Sequence, residues 1–251
     1  MLYAIGDIHG CLDQLLDRLE AIHADAGRLG IAQPRVVFLG DYVDRGSDSK
    51  GVLDILTGTD GSSRPTGLTG SIMAEIDPRF CLGNHDFFFL AAVTHELNAG
   101  DLRVWLTKHG GAETLESYGA DLRRHGPDDF LRRVDDWLPP AHLEFLANLE
   151  PYHRFDELLF THAGVNPEKS LDEQPLDALL YGDSRMFDFD HDRLAPQLRQ
   201  RLGARVVHGH WANYGQVEIW PHRVNVDTGA GYAGCGLTAV AIEGEDVRVL
   251  A

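Results

Sequence analysis

Leu2-Tyr3-Ala4-Ile5-Gly6-Asp7-Ile8-His9-Gly10 runs from four apolar residues straight into two metal-type ligands set between glycines. An apolar run that stops at Asp or His reads as a buried strand presenting side chains at its carboxyl end, where open α/β sheets build ligand sites. The same arrangement recurs four times. Val36–Leu39 runs into Gly40-Asp41-Tyr42-Val43-Asp44-Arg45-Gly46, and Phe80–Leu82 into Gly83-Asn84-His85-Asp86. Leu158–Phe160 runs into Thr161-His162-Ala163-Gly164, and Arg205–Val207 into His208-Gly209-His210. Five converging strand ends would supply the N and O donors that two divalent ions need. Two ions about 3.5–4 Å apart suit in-line displacement at phosphorus.

The segments between these strands read as helices. Leu12, Leu15, Leu16, Leu19 and Ile22 give Leu12–Ala24 an apolar helical face, and Asp48 or Ser49 caps a helix through about Thr57. Strand, helix, strand implies a parallel sheet. Phe87–Leu97 reads as a packed helix and Asp101–Leu149 as several more, so residues from about 87 to 150 form a helical layer or cap. After the fifth ligand strand, Gln216–Trp220, Arg223–Val226, Leu237–Ile242 and Val247–Leu250 read as a C-terminal antiparallel meander. Gly58–Gly70, rich in Gly, Ser and Thr, predicts an exposed loop dispensable for folding. With no internal repeat and no linker composition, residues 1–251 read as a single α/β domain.

A hydrophobic content of 43% is enough for a substantial core, while a net charge of −17 argues against a nucleic-acid or anionic-membrane partner. It does not exclude a phosphate site, because bound cations and a few arginines reverse the field locally. Three scattered cysteines, Cys11, Cys81 and Cys235, make no disulfide framework and point to a reducing cytoplasm. Met1–Ile5 predicts a strand rather than a secretory leader, and no run approaches the ~20 apolar residues of a membrane span.

Asp7 and His9 lie two apart and share one face of an extended backbone. An Asp such as Asp41 can bridge two cations, Asn84 is a neutral oxygen ligand, and His162 and His210 suit Mn, Fe or Zn. The chain has 13 histidines. His23, His95, His109, His125, His142, His153, His191 and His222 lack strand-end context and read as ordinary surface or core residues. His208 reads either as a ligand or as a residue supporting one.

Taken in order and spacing, the first three motifs resemble the signature of the PPP-type phosphoprotein phosphatases within the calcineurin-like metallophosphoesterases. Thr161–Gly164 and His208–His210 extend the resemblance from residue 6 to at least 210. Trp105–Gly119, with Gly110-Gly111 and Thr114-Leu115-Glu116-Ser117-Tyr118-Gly119, is similar to the bacterial branch. The resemblance implies a two-sheet β-sandwich flanked by helices. It implies one ion on Asp7, His9 and Asp41 and another on Asp41, Asn84, His162 and His210, with Asp41 bridging. Mn²⁺ is the first expectation for the pair, with Fe or Zn open. It also implies substrate phosphate held by Arg45 and Arg185 with Asn84 and His85. Asp86 stands where eukaryotic enzymes carry Glu, as in many bacterial members and in symmetrical dinucleoside tetraphosphate hydrolases.

The chemistry that follows is attack on phosphorus by a hydroxide shared between the ions, with Arg45 and Arg185 on the equatorial oxygens. His85, held by Asp44, is the general acid. The first expectation is a phosphatase acting on phosphoserine or phosphothreonine in a protein or peptide, with phosphotyrosine left open. The alternative is a symmetrical dinucleoside tetraphosphate hydrolase. A non-catalytic phosphate-sensing module is disfavoured because no ligand is missing.

Overall fold

Strand burial, more than strand length, sorts the chain into layers. A computed structural model describes residues 1–59, 73–187 and 191–250. Within it β1 (Leu2–Ile5), β2 (Arg35–Phe38) and β3 (Asp77–Phe80) run parallel, with Tyr3 opposite Val36 and Val36 opposite Pro78. β4 (Tyr152–Phe155), β5 (Leu158–Thr161), β6 (Arg205–His208), β7 (Glu218–Ile219) and β8 (Arg223–Asn225) make a second sheet in the order β4-β5-β6-β8-β7. β9 (Ala239–Glu243) and β10 (Asp246–Leu250) return to the first sheet, ordered β10-β9-β1-β2-β3.

Alternation along β1 and β2 gives each sheet face its own partner. Ala4, Val37 and Leu39 face the second sheet and pack with Phe160, Val207, Val224 and Val240. Tyr3, Ile5, Val36 and Phe38 face the other way, onto α1 (Leu12–Leu29), α2 (Ser49–Leu56) and α3 (Asn84–Val93) through Leu15, Leu19, Val52 and Phe89. The outer face of the second sheet, at Leu159 and Val206, is covered by Leu198 and Leu202 of the helix His191–Leu202. This is the two-sheet α/β sandwich flanked by helices.

Three boundaries differ from the sequence reading. α1 continues past Ala24 to Leu29 because Asp25 is paid for on the buried face, accepting hydrogen bonds from Tyr3 Oη at 2.9 Å and Arg248 at 2.7 Å. Gly30 then ends the helix with a left-handed φ of 70°, its N–H returning to Ala26 and Gly27. The third strand lies at Asp77–Phe80 instead of Phe80–Leu82. Arg35 clamps Asp77 across the strand pair at 2.7 Å, whereas Cys81 makes only an isolated bridge to Glu150. The tail is not one meander. β7–β8 and β9–β10 are each antiparallel hairpins, but β8 runs parallel to β6 in the second sheet and β9 antiparallel to β1 in the first. Val224 and Val240 thus approach the inter-sheet core from opposite sides.

The helical cap is present as short helices at Ala99–Val104, Gly111–Ser117, Pro127–Leu131, Val134–Trp137 and Pro140–Ala147, with a π-helical turn at Trp105–His109. Phe145 seats this layer edge-on against Tyr42 and Phe80, at ring separations of 5.3 and 4.9 Å. Apart from Gly58 and Thr59, the Gly58–Gly70 segment lies outside the described residues. Among the described residues no helix is long and apolar enough to cross a membrane, and all three cysteines are free.

Candidate metal centre

Three of the five ligand-bearing strands run out into left-handed backbone. His9, Asp41, Asp44, Arg45 and His210 all have left-handed backbones, with φ of 48°, 54°, 72°, 65° and 67°. Non-glycine residues rarely adopt this conformation, and a cluster of them marks a site whose surroundings enforce it. The enforcement here is backbone pairing between loops. Ile8 N and His9 N both donate to Asp41 O, Gly10 N to Tyr42 O, and Gly46 N back to His9 O.

The third loop is tied to the second through Asp86. Its carboxyl accepts hydrogen bonds from Asp41 N at 2.7 Å, Tyr42 N at 2.8 Å and Gly83 N at 3.0 Å. Burial, with the Asp41 charge nearby, nevertheless pushes Asp86 up to about 8. Asp86 therefore braces backbone, a role independent of which phosphate ester is bound. At Gly83 a Cβ would collide with Asp41, so only glycine permits this approach.

Two donor groups meet at Asp41: His9, Asp41 and His85, and Asp41, His162 and His210, each with ligand atoms within 4.8 Å of one another. Their tautomers follow from the outer hydrogen bonds. His162 Nδ1 faces the carbonyl of Leu39 at 2.9 Å and must donate to it, leaving a lone pair on Nε2 in the neutral ring. That lone pair faces Asn84 Oδ1 at 2.9 Å, His210 Nδ1 at 3.1 Å and Asp41 Oδ2 at 3.5 Å. His9 repeats the pattern, with Nδ1 on Val43 O at 3.0 Å and Nε2 3.5 Å from Asp41 Oδ2. Burial first, and then mutual repulsion among the imidazoles, lowers His9, and burial likewise lowers His162 and brings His210 to about 3. Neutral imidazoles with inward lone pairs are in the metal-ligating state.

The carboxyls make the same demand. Burial, then the charges of Asp227 and Asp41, raises Asp7 well above the carboxylate range, and burial brings Asp227 up to about 6. Buried carboxyls and imidazole lone pairs aimed at one point fit divalent cations and little else. Asp7 borders this point: both its oxygens accept from His210 N, at 3.1 and 3.0 Å.

Arg45 spans the first group, with Nη1 2.8 Å from His9 Nε2 and Nη2 3.2 Å from His85 Nε2. Its guanidinium lies 4.6 Å from the centroid of the Tyr232 ring. His85 Nδ1 lies 2.7 Å from Asp44 Oδ2, and that carboxylate is fixed by Trp105 Nε1 at 2.8 Å and Thr114 Oγ1 at 2.7 Å. Burial alone would lower the His85 pKa, but the Asp41 charge and the Asp44 hydrogen bond outweigh it and the net shift is upward.

The structure thus gathers Asp7, His9, Asp41, Asp44, Arg45, Asn84, His85, His162 and His210. Among the described residues no hydrogen bond or ion pair joins Arg185 to them. Arg185 forks onto Asp183, its Nε 2.8 Å from Oδ1, and pairs with Glu168, so two carboxylates already satisfy it. His208 is fully buried behind the site, its Nδ1 donating to Gly209 O at 2.9 Å and its Nε2 3.4 Å from Arg223 Nη1, which makes it a support and not a ligand. Asp227, Trp105, Thr114 and Tyr232 were missed from sequence. Asp227 had a usable signal: it follows the apolar strand end Val224-Asn225-Val226, the pattern that found the other ligands.

Comparison with known proteins agrees with this geometry. The calcineurin-like phosphoesterase family model matches residues 2–229. A Nitrosomonas europaea protein named bis(5'-nucleosyl)-tetraphosphatase, symmetrical, is 26% identical, covering 98% of this chain and 96% of its own length. A Halalkalibacterium halodurans relative named for the asymmetrical tetraphosphatase is 25% identical, covering 94% and 87%. Among solved structures, one provisionally assigned as a diadenosine tetraphosphatase superposes with a TM-score of 0.61 at 22% identity, covering 99% of this chain and 91% of that one. The cold-active protein-tyrosine phosphatase of a Shewanella species superposes with a TM-score of 0.59 at 17% identity, covering 100% and 80%, a likeness of fold.

Proposed function

The chain belongs to the calcineurin-like phosphoesterase family, and from that premise we propose that it is a two-metal hydrolase of symmetrical dinucleoside tetraphosphates, releasing two nucleoside diphosphates. The observation that carries the hydrolase reading is Asp41, common to both donor groups. The choice of substrate is supported by the relatives that match over nearly their whole length, which are named as tetraphosphatases. They favour the alternative reading of the sequence over protein phosphatase activity.

Asp7, His9, Asp41, Asn84, His162 and His210 would hold the divalent cations, which would supply Lewis acidity and a hydroxide source at neutral pH. The protein's own groups do the rest. Arg45, already beside His9 and His85, offers a planar fork to equatorial phosphate oxygens. Asp44 holds the His85 Nδ1 proton, so the opposite nitrogen can deliver a proton to the departing oxygen.

That acid also supports a second reading. A nucleoside diphosphate leaves readily without protonation, whereas the alkoxide of serine does not. The clamp of Trp105 and Thr114 on Asp44 is the feature a phosphomonoesterase would need. The deciding experiment incubates Mn²⁺-loaded protein with diadenosine tetraphosphate and with phosphoserine and phosphotyrosine peptides, and separates the products. ADP as sole nucleotide product supports the proposal. ATP with AMP would mean asymmetrical cleavage, and peptide turnover with an intact dinucleotide would give the assignment to the second reading.

A further inference from the structure

Among the described residues, exposed tyrosine and tryptophan are concentrated at one place. Tyr181, Trp211, Tyr214 and Tyr232 are 39%, 45%, 65% and 39% exposed; Tyr181 and Trp211 meet His210, and Tyr232 meets Arg45 with Tyr214 against it, while Trp220 is the other exposed member of the class. They fall into two clusters. Trp211 and Tyr181 stand against His210, at ring separations of 5.4 and 6.3 Å, with Phe187 4.9 Å behind the indole. Tyr214 meets Tyr232 edge-on at 5.6 Å, and Tyr232 carries the Arg45 guanidinium, which reaches His9. The first cluster therefore meets His210 of one donor group directly, and the second reaches His9 of the other through Arg45, with Asp41 common to both groups.

We propose that the two clusters are nucleobase subsites, Trp211 and Tyr181 receiving one base and Tyr214 and Tyr232 the other, while the polyphosphate crosses the metal centre. The proposal rests on the tetraphosphatase reading and adds where each half of the substrate lies. Large rings left in water beside a phosphate-binding arginine are what a nucleoside diphosphate half requires: a cationic anchor and, next to it, a flat apolar face. Stacking is indifferent to which base is presented, so these subsites select for nucleotides without selecting adenine.

The test uses Mn²⁺-loaded protein with p-nitrophenyl phosphate as reporter, and ADP and inorganic pyrophosphate as competing inhibitors. ADP should inhibit the wild type more tightly than pyrophosphate, the ratio measuring the base. Trp211→Ala or Tyr214→Ala should each weaken ADP inhibition about 5- to 150-fold with a much smaller change for pyrophosphate. Trp211→Phe and Tyr214→Phe should retain most of it. The double alanine variant should raise KM for diadenosine tetraphosphate by more than either single change. Equal inhibition by ADP and pyrophosphate in the wild type, or equal weakening of both in the variants, overturns the subsites. If the wild type leaves diadenosine tetraphosphate intact while ADP inhibition still depends on these rings, the tetraphosphatase reading fails and the subsites stand. If it cleaves the dinucleotide with KM indifferent to both rings, the reading stands and the subsites fail.

Discussion

Trp105 Nε1 and His85 Nδ1 both address a single atom, Asp44 Oδ2, from 2.8 and 2.7 Å. The indole therefore fixes the carboxylate that fixes the imidazole. Trp105→Phe keeps the ring in its buried place but removes this donor. Under the second reading it should lower kcat on phosphoserine peptides several-fold, with KM nearly unchanged.

His85→Asn isolates the acid itself. General acid catalysis contributes typically ~10²–10⁴-fold, and the share grows with leaving-group basicity. The loss should be of that order on phosphoserine peptides and much smaller on p-nitrophenyl phosphate and diadenosine tetraphosphate. Measuring kcat at saturating Mn²⁺ for all three decides it, and a uniform loss would show that His85 chiefly holds metal or phosphate.

Asp41 belongs to both donor groups, Asn84 sits beside only the second. Calorimetric titration of metal-stripped protein with Mn²⁺ should show two binding events in the wild type. Asn84→Ala should weaken one and Asp41→Asn both. Full hydrolytic activity in metal-stripped wild type would defeat the functional reading entirely.

Asp86→Ala would leave three buried backbone amides, those of Asp41, Tyr42 and Gly83, without their acceptor. An unsatisfied buried donor costs about 1–3 kcal/mol, so urea denaturation should report a loss of at least 3 kcal/mol. Activity should fall with it, since the same amides position Asp41.

Asp25 gives a pH signature away from the metals. Arg248 first, against the penalty of burial, and then Arg28 and Tyr3 bring its carboxyl down to about 2. A folded pKa below the unfolded one contributes stability that is complete above about pH 4 and is lost as pH falls through about 2. Because Arg28 and Arg248 are 65% and 45% exposed, screening reduces the contribution to about 1 kcal/mol. Asp25→Asn should lose about that much at pH 7, and its deficit relative to wild type should shrink below pH 4. A pH-independent deficit would show that packing and not charge is responsible.

The Asp, His and Asn residues that converge at the centre are legible because they stand at strand ends, where local sequence displays them. What sequence concealed depends on distant partners. Trp105 and Thr114 reach Asp44 across 61 and 70 residues, and nothing near either of them announces the contact. β3 reads Asp77-Pro78-Arg79-Phe80, hardly a strand by composition, and is held by ionic pairs from Arg35 to Asp77 and from Arg79 to Asp77. The tail hairpins have similar alternation, so their division between two sheets was invisible. Arg185 had the right residue type but is held by Asp183 and Glu168.

The loops bearing His9, Asp41 and Asn84 are laced to one another by backbone amides and by Asp86, with no ion taking part in the lacing. The spacing of these three loops is thus held by hydrogen bonds of the polypeptide itself. Donors held at fixed spacing discriminate among first-row ions by the size and geometry they impose, against the general ranking of affinities that an adaptable site would follow. Loosening the lacing would then blunt the choice between ions as well as weaken the fold.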